Sequence, residues 1–179
     1  MIPEARIAEL IPQVPPGVVA VLLTGLTETD DIGAQIRICR PGAVQLVRST
    51  TVETRRALRS QFPGLRLLQV VHVQGEGAIE DATTAQVASD GLVLDSAVLG
   101  GPVEQLGATG TTHDWSISGR IVKAVDVPVF LAGGLKATNV QEARRVVGSF
   151  GLDLCSGVRT DDVLDPYKVR EFVSAAQEE

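Results

Sequence analysis

With 179 residues, 44% of them hydrophobic and 3% aromatic, the chain is sized for one well-buried domain spanning residues 1–179 and is too small for two. A net charge of −6 excludes nucleic acid as a natural partner but leaves a small anion open, because backbone amides can hold phosphate inside an acidic protein. Two cysteines make neither a disulfide framework nor a metal centre, and no apolar run is long enough to cross a membrane, so a cytoplasmic protein without metal or membrane is expected.

Along the chain, short apolar runs alternate with amphipathic stretches. A first helix, Glu4–Val14, ends at the Pro15-Pro16-Gly17 break. The apolar runs are Val18–Thr24, Ala43–Val47, Leu65–Val73, Gly91–Ala97, Pro128–Ala132 and Leu152–Ser156. Their starts lie about 25 residues apart, with one longer interval, which is the length of a βα unit. Between them, Thr50 and Glu53 fit a capping box before Arg55–Phe62. Ile117, Ile121 and Val125 fall at helical spacing after Thr112. Asn139, Ala143, Val146 and Val147 mark the next helix, which Gly148 and Gly151 end. Asp165-Pro166 opens the last one, with Val169, Phe172 and Val173 turned inward.

Six strands and seven helices in alternation predict an all-parallel sheet, either open and doubly wound or closed into an eight-stranded barrel. A full barrel needs at least roughly 200 residues. The chain is short by about two units and opens on a helix with no strand before it. The fold expected is therefore α/β, a TIM-type (βα) barrel with all-parallel strands, N-terminally incomplete, with about six of eight βα units. Unpaired sheet edges in a chain of this length predict either pairing in a homo-oligomer or aggregation.

In βα proteins, the loops at the C-terminal ends of the strands carry the chemistry. Three such ends stand out. Gly133-Gly134 follows Val129–Ala132 and is either a tight turn or a place where backbone approaches an anion. Ser156-Gly157 ends the run that begins at Leu152, and the last two strands of a barrel are where phosphate sites are frequently built. Asp153 and Cys155 share a face of that run, and an inward carboxylate there needs a partner or a role. Asp95 ends Leu92–Asp95 and is either a general acid or base or a loop cap. The long loop Ala97–Thr111 after it has the length of a lid.

Taken in order, Asp95, Gly107-Ala108-Thr109-Gly110-Thr111-Thr112-His113-Asp114-Trp115, Leu131-Ala132-Gly133-Gly134-Leu135 and Asp153-Leu154-Cys155-Ser156-Gly157-Val158 resemble the phosphoribosylanthranilate isomerase family. The resemblance implies an Amadori rearrangement in tryptophan biosynthesis, with a phosphorylated sugar as substrate and no cofactor. It implies Asp95 as general acid, Asp153 on the amino side of the substrate, and Gly110, Gly133, Gly134, Ser156 and Gly157 around the phosphate. The family's general base, a Cys ending the first strand, and an Arg after the second strand have no counterpart in this sequence. The family's Gln-Leu-His-Gly stands here as Gln45-Leu46-Val47-Arg48, which brings Arg48 into consideration.

Cys155 lies on the expected inward face, as a substitute base or as a buried strand residue. His113 is a substrate contact or a helix cap, Cys39 and Trp115 are packing residues, and His72 reads as a mid-strand core histidine. Two other functions stay open: a non-catalytic sugar-phosphate-binding or assembly descendant, and another ribulose-phosphate-binding barrel enzyme.

Overall fold

The computed structural model describes residues 2–96 and 114–177. The strands β1 (Val21–Thr24), β2 (Ala43–Leu46), β3 (Arg66–His72), β4 (Gly91–Asp95), β5 (Val129–Leu131) and β6 (Gly151–Leu152) follow one another in sheet order. Pairing is parallel in every assigned register of this sheet. The helices are α1 (Glu4–Leu10), α2 (Thr29–Cys39), α3 (Val52–Gln61), α4 (Ala78–Ala85), α5 (Trp115–Ala124), α6 (Val140–Val147) and α7 (Pro166–Gln177). Among the described residues the expected alternation therefore holds from α1 to β6. It is interrupted before α7 by a small antiparallel hairpin, β7 (Arg159–Thr160) and β8 (Val163–Leu164), which the sequence pattern did not announce. Asp161 and Asp162 at its tip both take positive φ, the geometry of a primed two-residue turn. No described helix is long and apolar enough to cross a membrane.

The backbone divides into two compact units. The first comprises residues 1–70 and 84–91, and its core gathers Leu22, Ile32, Ile36, Val44, Leu58 and Leu67 with Cys39. Cys39 is 1% exposed, so the packing role expected for it holds. Burial, with Glu4 adding to it, pushes its thiol above the ordinary range. On β1 the alternation is clean: Leu22 and Thr24 are buried, whereas Val21 and Leu23 are exposed at 41% and 60%.

Beneath the ends of β2 and β3 this unit encloses a guanidinium. Arg55 on α3 is 1% exposed and donates to the carbonyls of Thr84 and Val87 at 3.0 Å each, and to that of Thr50. Gln69 on β3 accepts from the Thr50 hydroxyl at 2.6 Å and donates to the carbonyls of Leu46 and Arg48. A buried charge is tolerable only when its donors are satisfied, and here carbonyls do that work in place of a carboxylate. Burial lowers the affinity of Arg55 for its proton, and Glu53 opposes that effect. The network also corrects the capping expectation. Thr50 is drawn into it, and Thr51 caps α3 instead, accepting from the Thr54 amide at 3.1 Å.

The second unit comprises residues 71–83 and 92–179. Leu92, Leu94, Ile121, Leu131, Val140 and Ala143 are fully buried there. The helix limits read from sequence hold for α6, which Gly148 ends in the left-handed region, and for α7, where Asp165 accepts from the Tyr167 amide at 2.9 Å. The inward face of α7 is narrower than expected: Phe172 is buried, but Val173 is 46% exposed.

Candidate active site

Asp95 is the last residue of β4 and half-buried. Its Oδ1 accepts from the Ser96 amide at 2.8 Å, which fixes the carboxylate at the strand end. Ser96 itself is buried, and β5 continues past it into the glycine pair. Gly133 has φ +87°, and a Cβ placed on it would lie 2.1 Å from the Ser96 hydroxyl oxygen. Both the left-handed backbone and the close approach require glycine there. Gly134 follows at φ +64°. Asn139 then ties the turn shut: its amide donates to the Gly134 carbonyl at 3.0 Å and its oxygen accepts from the Lys136 amide at 2.8 Å. The asparagine expected as a helix marker is thus the brace of the loop before the helix.

The loop after β6 closes on the same turn. A Cβ on Gly157 would lie 1.9 Å from the Leu135 carbonyl oxygen, so only glycine lets the two loops meet. Asp153 follows β6, is half-buried, and donates its amide to the Leu131 carbonyl at 2.8 Å. Asp95, Gly133, Gly134, Asp153 and Gly157 are thereby gathered at the ends of three consecutive strands, within the second unit.

Other expectations need correction. The last strand stops at Leu152, not Ser156, and residues Ser156–Val158 form a single 3-10 turn. Cys155 consequently leaves the strand register and is exposed, so it neither shares an inward face with Asp153 nor packs in a core. Ser156 is exposed at the start of the turn. Arg48 is an exposed residue just past β2, in the first unit. Gly110, His113 and the loop that contains them lie outside the described residues. Asp114 caps α5 through its side chain, which accepts from the Ser116 amide at 2.9 Å. His72 is not mid-strand: it is the final residue of β3 and half-buried.

Comparison with known proteins decides the family. The family model for N-(5′-phosphoribosyl)anthranilate (PRA) isomerase matches residues 3–175. The chain belongs to that isomerase family. It is 36% identical over 170 residues to N-(5′-phosphoribosyl)anthranilate isomerase 2 of Methanosarcina mazei, covering 94% of this chain and 74% of the relative. Its fold matches phosphoribosyl anthranilate isomerase of Thermotoga maritima with a TM-score of 0.82 at 24% identity, over 98% of this chain and 81% of that one. A further phosphoribosyl anthranilate isomerase, solved in complex with reduced 1-(o-carboxyphenylamino)-1-deoxyribulose 5-phosphate, matches with a TM-score of 0.79 at 22% identity, over 98% of this chain and 80% of that one. The TIM-type βα architecture expected from the alternation is therefore the architecture of its structural relatives.

Proposed function

We propose that this isomerase acts on N-(5′-phosphoribosyl)anthranilate in the cytoplasm, with Asp95 as general acid and the loops after β5 and β6 holding the 5′-phosphate. The single observation that carries the site is the double close approach, Gly133 on Ser96 and Gly157 on Leu135, which makes one continuous rim of three strand ends. The left-handed Gly133-Gly134 turn leaves backbone bare of Cβ atoms where an anion must come close. Gly133, Gly134, Ser156 and Gly157 supply this cradle, and Gly110 is assigned to it by the family motif alone. Asp153, at the adjacent strand end, faces the amino side of the substrate.

In this reading Asp95 gives a proton to the furanose ring oxygen. The C1′–O bond breaks and the nitrogen lone pair forms the imine. Loss of the C2′ proton then gives the enolamine, which tautomerises to the 1-amino-1-deoxyribulose. No redox step occurs, and the chemistry requires no cofactor. The relative bound to the reduced carboxyphenylamino-deoxyribulose phosphate supports a phosphorylated sugar as the substrate class.

The test is the loss of anthranilate-type fluorescence on turnover. Wild-type chain should turn over, and Asp95→Asn should lower kcat by about 100-fold or more, the contribution usual for a positioned general acid. Equal turnover by the two proteins would remove Asp95 from the reaction.

A further inference from the structure

The cradle assigned above to the 5′-phosphate is made mostly of backbone, and the rim around it is acidic. Asp95 and Asp153 stand half-buried at two of its three strand ends, in a chain of net charge −6. A phosphate monoester brings about −1.5 to −2 charges at neutral pH, so a cation at this rim offsets a repulsion that the carboxylates create. Among the described residues of the loops after β5 and β6, the cations are Lys136 and Arg159. Arg159 is already engaged: its Nη1 donates to the Asp162 carbonyl at 2.7 Å, which ties the guanidinium to the β7–β8 hairpin. The ammonium of Lys136 makes no hydrogen bond or ion pair with any described residue.

The backbone of Lys136 is held on both sides. Its amide donates to Asn139 Oδ1 at 2.8 Å, and its carbonyl accepts from the Asn139 and Val140 amides at 3.1 and 3.0 Å. From that fixed point the side chain runs toward the other loop, and its Cγ lies 3.5 Å from where a Cβ on Gly157 would stand. The stem thus passes over the bare Cα of Gly157, and the flexible chain carries the ammonium on beyond it. Lys136 is exposed, so its charge is solvated in the free protein and meets a phosphate as a point charge rather than as a rigid fork. Lys136, Gly133, Gly134 and Gly157 all belong to the second unit.

Resting on the isomerase reading, we propose that Lys136 is a binding residue for the substrate's 5′-phosphate and makes the site selective for the phosphorylated sugar over its unphosphorylated counterpart. The ammonium pairs with phosphate oxygens held in the backbone cradle and balances the charge that Asp95 and Asp153 oppose. The phosphate lies away from the bonds that change at C1′ and C2′. The contact is therefore as strong in the ground state as in the transition state, so it lowers KM and leaves kcat alone.

The test titrates the 179-residue chain and its Lys136→Ala and Lys136→Arg variants with reduced 1-(o-carboxyphenylamino)-1-deoxyribulose 5-phosphate, and with the same compound lacking its phosphate. Lys136→Ala should weaken binding of the phosphorylated ligand about tenfold, the scale of one charge-assisted contact at an exposed position. Binding of the dephosphorylated ligand should stay within about twofold of wild type, and Lys136→Arg should recover most of the loss. In turnover, KM should rise by the same factor while kcat stays within about twofold. The gap between wild type and Lys136→Ala should close in about 1 M salt, where the Debye length is about 3 Å. Equal affinity of the two proteins for the phosphorylated ligand, or an equal loss for both ligands, overturns the role of Lys136 and leaves the isomerase reading standing. If the dephosphorylated ligand binds too weakly to measure, the salt series decides, and a gap that persists undiminished overturns the ion pair. A wild type that neither binds the phosphorylated ligand nor turns over overturns the isomerase reading and this inference with it.

Discussion

The two compact units treat buried polar groups in opposite ways. In the first, Arg55, Thr50 and Gln69 are nearly inaccessible and their donors are consumed by backbone carbonyls and by one another. In the second, Asp95, Asp153 and His72 stay half-open at strand ends, while backbone close approaches at Gly133 and Gly157 set the frame around them. The lesson is one of accounting for hydrogen bonds. A polar group buried with internal partners stabilises the fold, whereas a half-exposed one at a strand end stands where a ligand can reach it.

The contrast can be broken at several points. The largest stability effect is expected from Arg55→Ala, which leaves the Thr84, Val87 and Thr50 carbonyls without their donor and opens a cavity. Unfolding by urea should show a loss of about 4 kcal/mol, the scale for breaking a buried charged network. A loss below 1 kcal/mol would mean that water replaces the guanidinium easily and that the first unit is not sealed.

Gly157→Ala sharpens the other side. The added methyl meets a backbone carbonyl that cannot rotate away, so the loops after β5 and β6 must part. Stability should fall by about 1–3 kcal/mol, the usual cost of overpacking. KM should rise more steeply than for an equally destabilising change in the first unit. An unchanged KM would separate the Gly157 contact from substrate binding.

The smallest effect is expected at Asp90. Burial alone would raise the pKa of its carboxyl, but the Arg59 guanidinium at 2.8 Å and the Leu67 amide at 2.9 Å outweigh it and hold the group below its ordinary range. A carboxyl with a depressed folded pKa contributes stability above its unfolded value, near pH 4, and loses it as pH falls through the lower folded value. Asp90→Asn should therefore cost about 1 kcal/mol at neutral pH and progressively less in acid. Urea midpoints of both proteins against pH check this: curves that stay parallel down to the acid limit would contradict it.

Much of the candidate site could be read from residue types and order. Gly133, Gly134 and Gly157 follow apolar runs of strand length, and Asp95 and Asp153 are the carboxylates within such runs; that placement marks the functional end of a βα unit. The failures have local causes. Alternation predicts Cys155 and Ser156 as strand residues, but β6 is paired only through Leu152, beyond which period-two logic has no ladder to act on. The apolar run Leu65–Val73 continues one residue past His72 and so predicts a core histidine, because a sequence does not show where pairing stops. A polar residue near the end of such a run, as Gln69 and His72 both are, was the available signal.

The sequence by itself determined the alternation of strands and helices, the parallel sheet and the family, because periodicity, caps and short ordered motifs are local properties. Only the tertiary structure decided which strand-end residues become neighbours. It set Gly157 against Leu135 and Gly133 against Ser96, because contacts between strands depend on register, which no single segment encodes.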